Sequence, residues 1–468
     1  MLLPVVSKLL GSVAYGTLAQ VQITLALLAT FCTLGVDFAF VRFFAGESDN
    51  KKIREGFFSI LIAGFSWSWL ITLILFLFSA RMAELLFGGI EATNIVKLIA
   101  ITLPFFSFNF LFLFFFRTFR QMKAFSILMV AQAFSEIGMI VFFILSGWGI
   151  FGVVLGILLV NIAFFAIMLG MIIRQIGIGL PPKASFARIK DYLRFSLPLI
   201  PSALSLWVTN LSDRYVISAF LGMSATGIYS AAYNLGTPIR MFMGPLNTVL
   251  VPTVANLYDH GRVEEVKTHL AYSLKYFLMV AIPAAVGLSI LAGPLLRHLA
   301  TPEFVGAGLL VVPFVAPSMI LWGYYGVMRQ PINLVKKTGS MGLIWGIAGA
   351  ANLGLNLVLV PRIGILGAAL TTLLAFGIAT GLTYRISSRY LKFNINWSFI
   401  AKSLAASGVM AGVIWLINPT DILPLVLACV AGAGVYFSVL FGLKGFTKKE
   451  VFFFRGLLLS LNPFKKAR

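Results

Sequence analysis

Six ionisable side chains sit where the sequence offers no water. Asp37 and Arg42, Glu136, Asp213 and Arg214, and Arg240 all fall inside or at the ends of long apolar runs. A charge at the centre of a bilayer costs roughly 2.5–3.5 kcal/mol on insertion scales, so each is a candidate for function. Arginine carries a planar, permanently charged fork that suits phosphate oxygens. The carboxylates suit other work. Glu136 reads as a proton or sodium site, as an acceptor for sugar hydroxyls, or as a structural acid. Blander readings stand beside these. Asp37 and Asp213 can neutralise a neighbouring base, and Arg42, like Arg117, lies near a span end where charge marks topology.

Amphipathic residues surround the charges. Trp207, Asn210, Tyr229, Tyr233 and Asn234 share the region of Asp213 and Arg240, and Gln20 and Gln22 lie in an earlier run. Aromatic faces with amides suit sugar rings. An aromatic belt at the membrane interface is the competing reading, and it fits Tyr229 at least as well. Pro238, Pro245 and Pro252 recur every seven residues around Arg240. Each removes a helix hydrogen bond and favours a kink. With Gly236 and Gly244 they predict a hinge, although membrane helices also tolerate proline without moving.

Other chemistries find no support. Cys32 and Cys429 make no framework, and His260, His269 and His298 show no zinc spacing. No glycine-rich phosphate loop is present. The sequence therefore predicts neither metal nor cofactor. The longest stretches between apolar runs, 174–196 and 444–468, are too short for a catalytic or ATP-hydrolysing domain. The chain reads as a non-enzyme.

The elements that must position these residues are membrane helices. Of 468 residues, 60% are hydrophobic and 11% charged. Soluble chains are about 45–50% apolar and roughly 25% charged. Apolar runs predict thirteen full spans, from 17–44 to 423–443, and a fragment at 1–10. That fragment reads as the end of a truncated first helix, giving an all-α polytopic membrane protein of about 14 helices. The net charge of +21 first suggests nucleic acid. Position overturns that: 29 of the 36 Lys and Arg fall in one alternating set of connections and the C-terminal tail. Their partition predicts a multi-pass protein of the cytoplasmic (inner) membrane, with these connections and the C-terminus on the cytoplasmic side, and no nucleic-acid partner.

A repeat organises the spans. Leu10-Gly11 with Gly16 matches Leu221-Gly222 with Gly227, and Gly149-Ile150-Phe151-Gly152 matches Gly364-Ile365-Leu366-Gly367, at offsets of 211 and 215 residues. Six spans per copy give both copies the same orientation, related by a pseudo-two-fold along the membrane normal. The predicted organisation is a lobe at 1–173, a cytoplasmic linker at 174–196, a lobe at 197–388, two extra spans within 389–443, and a basic tail at 444–468. The tail's Phe452-Phe453-Phe454 and Lys465-Lys466 predict an interfacial helix.

The chain resembles the polysaccharide transporter branch of the multidrug/oligosaccharidyl-lipid/polysaccharide flippase superfamily, which includes O-antigen and exopolysaccharide flippases. Leu10-Gly11 through Gly16, Gly35 through Arg42, Phe195 through Pro201, Asp213-Arg214, Phe220 through Tyr233 and Pro361 through Ala369 carry the likeness. The resemblance implies translocation of a polyprenyl-pyrophosphate-linked oligosaccharide between leaflets by alternating access. It implies membrane lipid around the protein, H+ or Na+ coupling as in some relatives, and polymerase or glycosyltransferase partners. Carried onto this chain, it makes Arg42, Arg214 and Arg240 the cavity cations for the pyrophosphate, with Asp37, Glu136, Asp213, Asn210, Tyr233 and Asn234 beside them. Two alternatives remain open. A cation-coupled exporter of organic cations would need acids in the cavity, where arginines accompany them. A membrane glycosyltransferase or polymerase would need catalytic groups outside, and the outer connections offer little beyond Glu84, Glu91, Arg297, His298 and Glu303.

Overall fold

The computed structural model describes residues 2–179, 189–337, 339–447 and 450. All regular structure among them is helical. Twelve helical stretches are long and apolar enough to cross a membrane. The predicted number is larger because two stretches each hold a break. Ile189–Asp259 has 71 residues, which at 1.5 Å each far exceeds a ~30 Å hydrocarbon core. The continuous helical segment Asp213–Gly236 is interrupted at Gly222, and Leu2–Thr33 at Gly11.

Other predicted spans divide at residues that cannot continue a helix. The run 17–44 ends as a long helix at Thr33, and Val36–Phe44 forms a short helix of its own. Leu34 and Gly35 between them hold φ of 49° and 70°, the left-handed region that breaks the hydrogen-bond ladder. The run 225–256 likewise divides: a 3-10 segment, Thr237–Phe242, carries Pro238, and a new helix, Met243–Asp259, follows.

The chain forms two compact units. The first comprises Met1–Ala231, Leu299–Ala307 and Gly339–Ala375. Its core is aromatic: Phe40, Phe57, Phe108, Phe112, Phe115 and Phe116 are all buried together with Met168 and Tyr192. At membrane depth hydrophobicity cannot drive helix association, so close packing and polar contacts must. The helices Ile200–Leu211 and Gly339–Ile363 show the first device. A Cβ on Gly349 would sit 3.1 Å from the Ser205 carbonyl oxygen, and one on Gly342 would sit 2.7 Å from Ser202 Oγ. Asn109 and Asn161 show the second. Asn109 Nδ2 donates to the Asn161 backbone and side-chain oxygens at 2.9 and 3.1 Å.

The second unit comprises Ala232–His298, Gly308–Thr338 and Phe376–Arg468. Phe399, Ala406, Met410 and Ile414 of the Trp397–Ile417 helix pack with Leu291, Tyr436 and Leu440. Tyr436 Oη donates to the Met279 carbonyl oxygen at 2.9 Å and pairs with Ser403 Oγ at 2.8 Å. Lys275 and Glu450 form a buried ion pair at 2.7 Å. The tail helix expected within 444–468 falls mainly on residues 451–468, outside the described residues.

Candidate functional site

The first unit gathers a buried polar cluster on a helical stretch apolar enough to cross a membrane. Asp213 begins the Asp213–Gly236 helix and Arg214 follows it; they are 1% and 4% exposed. Arg214 Nη1 donates to Asp213 Oδ1 at 2.7 Å and to the Asn210 carbonyl oxygen at 2.9 Å. Tyr229 Oη donates to the other carboxylate oxygen, Oδ2. Its ring lies under the guanidinium, 5.4 Å from Cζ to centroid. Asp213 and Arg214 thus neutralise one another, as the structural reading of Asp213 expects, with hydrogen bonds on both partners. Tyr229 is fully buried and belongs to this network; the interfacial-belt reading of Tyr229 does not hold.

Beside the pair runs a second polar line. Thr24 Oγ1 and Tyr215 Oη are 2.7 Å apart, and the Tyr215 and Trp207 rings lie 5.6 Å apart. One turn before Thr24, Gln20 is fully buried with neither amide atom hydrogen-bonded among the described residues. Buried polar groups in that state ordinarily hold water or ligand. Gln22 is exposed.

Asp37 and Arg42 occupy opposite ends of the short helix Val36–Phe44. Asp37 is buried at its N-terminal turn, where free backbone N–H groups favour a carboxylate. It lines a cavity of about 280 Å³ with Thr30, Thr33, Ser107 and Phe110. Arg42 is exposed. Glu136 is half-buried on Met122–Leu145 and forms no hydrogen bond or ion pair among the described residues. The structure therefore brings Asp213, Arg214 and Asn210 together and leaves Asp37, Arg42 and Glu136 apart from them.

In the second unit, Tyr233 is buried and Asn234 exposed near the end of the Asp213–Gly236 helix. Thr237 Oγ1 donates to the Asn234 carbonyl oxygen at 3.0 Å, serving an acceptor at the helix end. Arg240 follows, exposed on the 3-10 segment. Pro238, Pro245 and Pro252 are all exposed; Pro238 opens that segment and Pro252 lies inside the next helix.

Several buried polar residues escaped the charge-based search. Asn352 and Asn356 are fully buried, with Asn356 Nδ2 donating to Asn352 Oδ1 at 3.1 Å. Their signal was available: two amides one turn apart in an otherwise apolar helix. Among the described residues no group of three His, Cys, Asp or Glu side chains could hold a metal.

Comparison with known proteins gives the family and the fold. Residues 1–258 match the polysaccharide biosynthesis protein family. The "Probable flippase AglR" of Haloferax volcanii is 27% identical over 261 residues, 52% of this chain and 54% of the relative. From the same organism, the "Probable low-salt glycan biosynthesis flippase Agl15" is 22% identical over 55% of each chain. The chain thus spans about half the length of the curated relatives it matches. Among solved structures, the lipid II flippase MurJ in an inward closed conformation superimposes with a TM-score of 0.72 at 17% identity, covering 96% of this chain and 98% of that one. An inward-facing multidrug transporter of the MATE family gives 0.67 at 15% identity, covering 82% and 91%. The fold is that of these polytopic transporters, and the chain is a member of the polysaccharide biosynthesis protein family.

Proposed function

We propose that the chain is a flippase that carries a polyprenyl-pyrophosphate-linked oligosaccharide across the cytoplasmic membrane by alternating access. The observation that carries this reading is Arg240. A permanently charged guanidinium stands exposed within a helical stretch apolar enough to cross a membrane, on a segment where the helix is broken. It suits an anionic group too polar to cross hydrocarbon unaided. The relatives named as flippases point the same way.

Under this reading the six-span repeats at 1–173 and 197–388 are the two halves that alternate. Pro238, Pro245 and Pro252 give the hinge, and the Lys- and Arg-rich connections and C-terminus face the cytoplasm. Arg42 and Arg240 take the pyrophosphate; Asn210, Tyr233 and Asn234 take sugar hydroxyls. Arg214 acts through Asp213, as the buried base of their ion pair. Glu136 and Asp37 are the acids available for H+ or Na+ coupling. A polymerase or glycosyltransferase would consume or supply the substrate.

Complementation of a flippase-null strain tests the reading. Restored surface polysaccharide, lost again in Arg240→Ala with the protein still in the membrane, is the expected result. A chain that reaches the membrane and restores none would sink it. The second reading, export of an organic cation, is favoured by Asp37, an acid lining a largely apolar cavity. Efflux of a fluorescent cation, lost in Asp37→Asn, would select it.

A further inference from the structure

The repeat signature becomes a reciprocal contact inside the first unit. Gly11 and Gly222 adopt nearly the same non-helical conformation, φ 81° and ψ −174° against φ 83° and ψ 179°. Gly16 and Gly227 each follow by five residues. A Cβ on Gly16 would overlap the carbonyl oxygen of Met223, the residue after the second break. A Cβ on Gly227 would overlap the carbonyl oxygen of Ser12, the residue after the first. Each added Cβ would also lie 2.9 Å from the other glycine's nitrogen. The contact is therefore symmetric about a local two-fold. Ser12 Oγ and Ser224 Oγ, 2.8 Å apart, sit beside it.

One group breaks the symmetry. Glu303 Oε1 accepts the Ser12 backbone N–H at 2.8 Å, and Ser12 Oγ donates to Glu303 Oε2 at 3.2 Å. With its one proton so used, Ser12 accepts from Ser224. A single chain then runs from Ser224 through Ser12 to the Glu303 carboxylate. Thr301 Oγ1 donates to Glu303 as well, at 3.2 Å. Phe304, fully buried, meets Tyr15 edge-on at 6.2 Å. The repeat counterpart of Glu303 is Glu91. Each is the middle residue of a 3-10 turn, Pro302–Phe304 or Ile90–Ala92, that leads into a long helix. Glu91 is exposed and has no hydrogen-bond partner among the described residues. The two copies thus share a scaffold, and only one carries the carboxylate bond.

We infer that Glu303 is a positioning residue of the transport cycle: its carboxylate latches the helix ends at Ser12 and Ser224 together, and the latch must release for this end to open. The inference rests on the flippase reading, under which the two helices belong to different halves and this end faces outward. The interface suits repeated parting. Two glycines meeting backbone to backbone interlock no side chains, so close contact forms and separates without rotamer changes. What holds it is the charge-assisted bond at the start of a helix, where free N–H groups and the helix dipole favour a carboxylate.

The test uses Ser12→Cys/Ser224→Cys in the full chain with Cys32→Ala and Cys429→Ala, so that the new pair supplies the only thiols. Oxidation in membranes should form a disulfide that blocks polysaccharide export, and reductant should restore it. Glu303→Gln on that background should slow disulfide formation roughly tenfold, the weight of one charge-assisted bond, and Glu303→Asp should recover part of the rate. Equal rates with and without the Glu303→Gln change would overturn the latch. So would full export by the disulfide-locked protein. If the unaltered chain exports nothing in the same assay, the flippase reading has failed, and the dependence of the disulfide rate on Glu303 still decides whether the latch exists.

Discussion

Tyr229 donates its hydroxyl to Asp213, sixteen residues earlier in the same helical segment, across the break at Gly222. The other oxygen of that carboxylate holds Arg214. The relationship makes Asp213 the acceptor of two buried donors. Removing it breaks a buried ion pair, whereas removing the hydroxyl alone leaves that pair whole.

The first prediction follows from that asymmetry. Asp213→Ala takes the carboxylate of its ion pair away from a buried guanidinium, a change that costs about 3–5 kcal/mol. Tyr229→Phe removes one hydrogen bond and costs about 1–2 kcal/mol. The double change Asp213→Leu with Arg214→Met removes both charges and should restore most of the stability. Thermal unfolding of the detergent-solubilised protein measures all three. A double variant no more stable than Asp213→Ala would show that the pair is not the main partnership of either residue.

Much of this was legible in the residues and some was not. Gly11 and Gly222 were marked as equivalent by the repeated Leu-Gly, and each falls between two predicted spans. Pro238 announced an interruption through its missing N–H, although Pro252, with the same signal, lies inside a continuous helix. The burial of Tyr229 was not visible, since its partner is reached only if the chain turns at Gly222. The division of the span at Leu34-Gly35 was half hidden: leucine with φ of 49° carries no sequence signal, whereas the glycine beside it, at 70°, does. Asn109 and Asn161 were overlooked because amides carry no charge, although unpaired amides at membrane depth are nearly as demanding. Glu450 was masked by the Lys448 and Lys449 that precede it.

The second prediction separates Arg240 from Arg214. Arg240 is exposed, so Arg240→Ala should leave thermal stability within about 0.5 kcal/mol. Transport should nevertheless fall at least tenfold, because a charge-assisted bond to the substrate is worth about 1.5–3 kcal/mol. Arg240→Lys keeps the charge and loses the fork, so it should recover only part of the rate. Normal surface polysaccharide in Arg240→Ala would remove Arg240 from the substrate path.

A third concerns the buried pair at the end of the second unit. Glu450 accepts from Lys275 Nζ at 2.7 and 2.8 Å, from the Thr447 N–H at 2.7 Å and from Tyr276 Oη at 3.2 Å. Thr447 Oγ1 in turn accepts the Glu450 N–H at 3.3 Å, the reciprocal arrangement of a capping box. Burial pushes the Glu450 carboxyl up, but the bonds from Lys275 and Thr447 and the lysine charge outweigh it and leave the group below the usual glutamate value. A depressed carboxyl stabilises the folded state at pH above its unfolded value. That contribution is lost as pH falls through the lower folded value. Docking of Glu450 against Lys275, followed by protease accessibility at Lys444, should therefore be unchanged from pH 7 to 5 and weaken only below the ordinary glutamate range. Glu450→Gln should loosen it at every pH. Release beginning near pH 6 would assign the docking to another group.

The last prediction uses three glycines with different surroundings. Gly227 meets backbone, so Gly227→Ala has no flexible side chain to displace and must push two helices apart, a cost of about 1–3 kcal/mol. Gly222 meets nothing, but its φ of 83° strains any L side chain, so Gly222→Ala costs about 1–2 kcal/mol through the backbone alone. Gly244 also meets nothing and lies in the Met243–Asp259 helix, where alanine is the better helix former by about 1 kcal/mol. Gly244→Ala should therefore raise thermal stability. If the segment from Pro238 to Pro252 bends during transport, the same change should slow export while the protein becomes more stable. A Gly244→Ala protein that is both more stable and fully active would show that any bend in this helix lies elsewhere, at the 3-10 segment that carries Arg240.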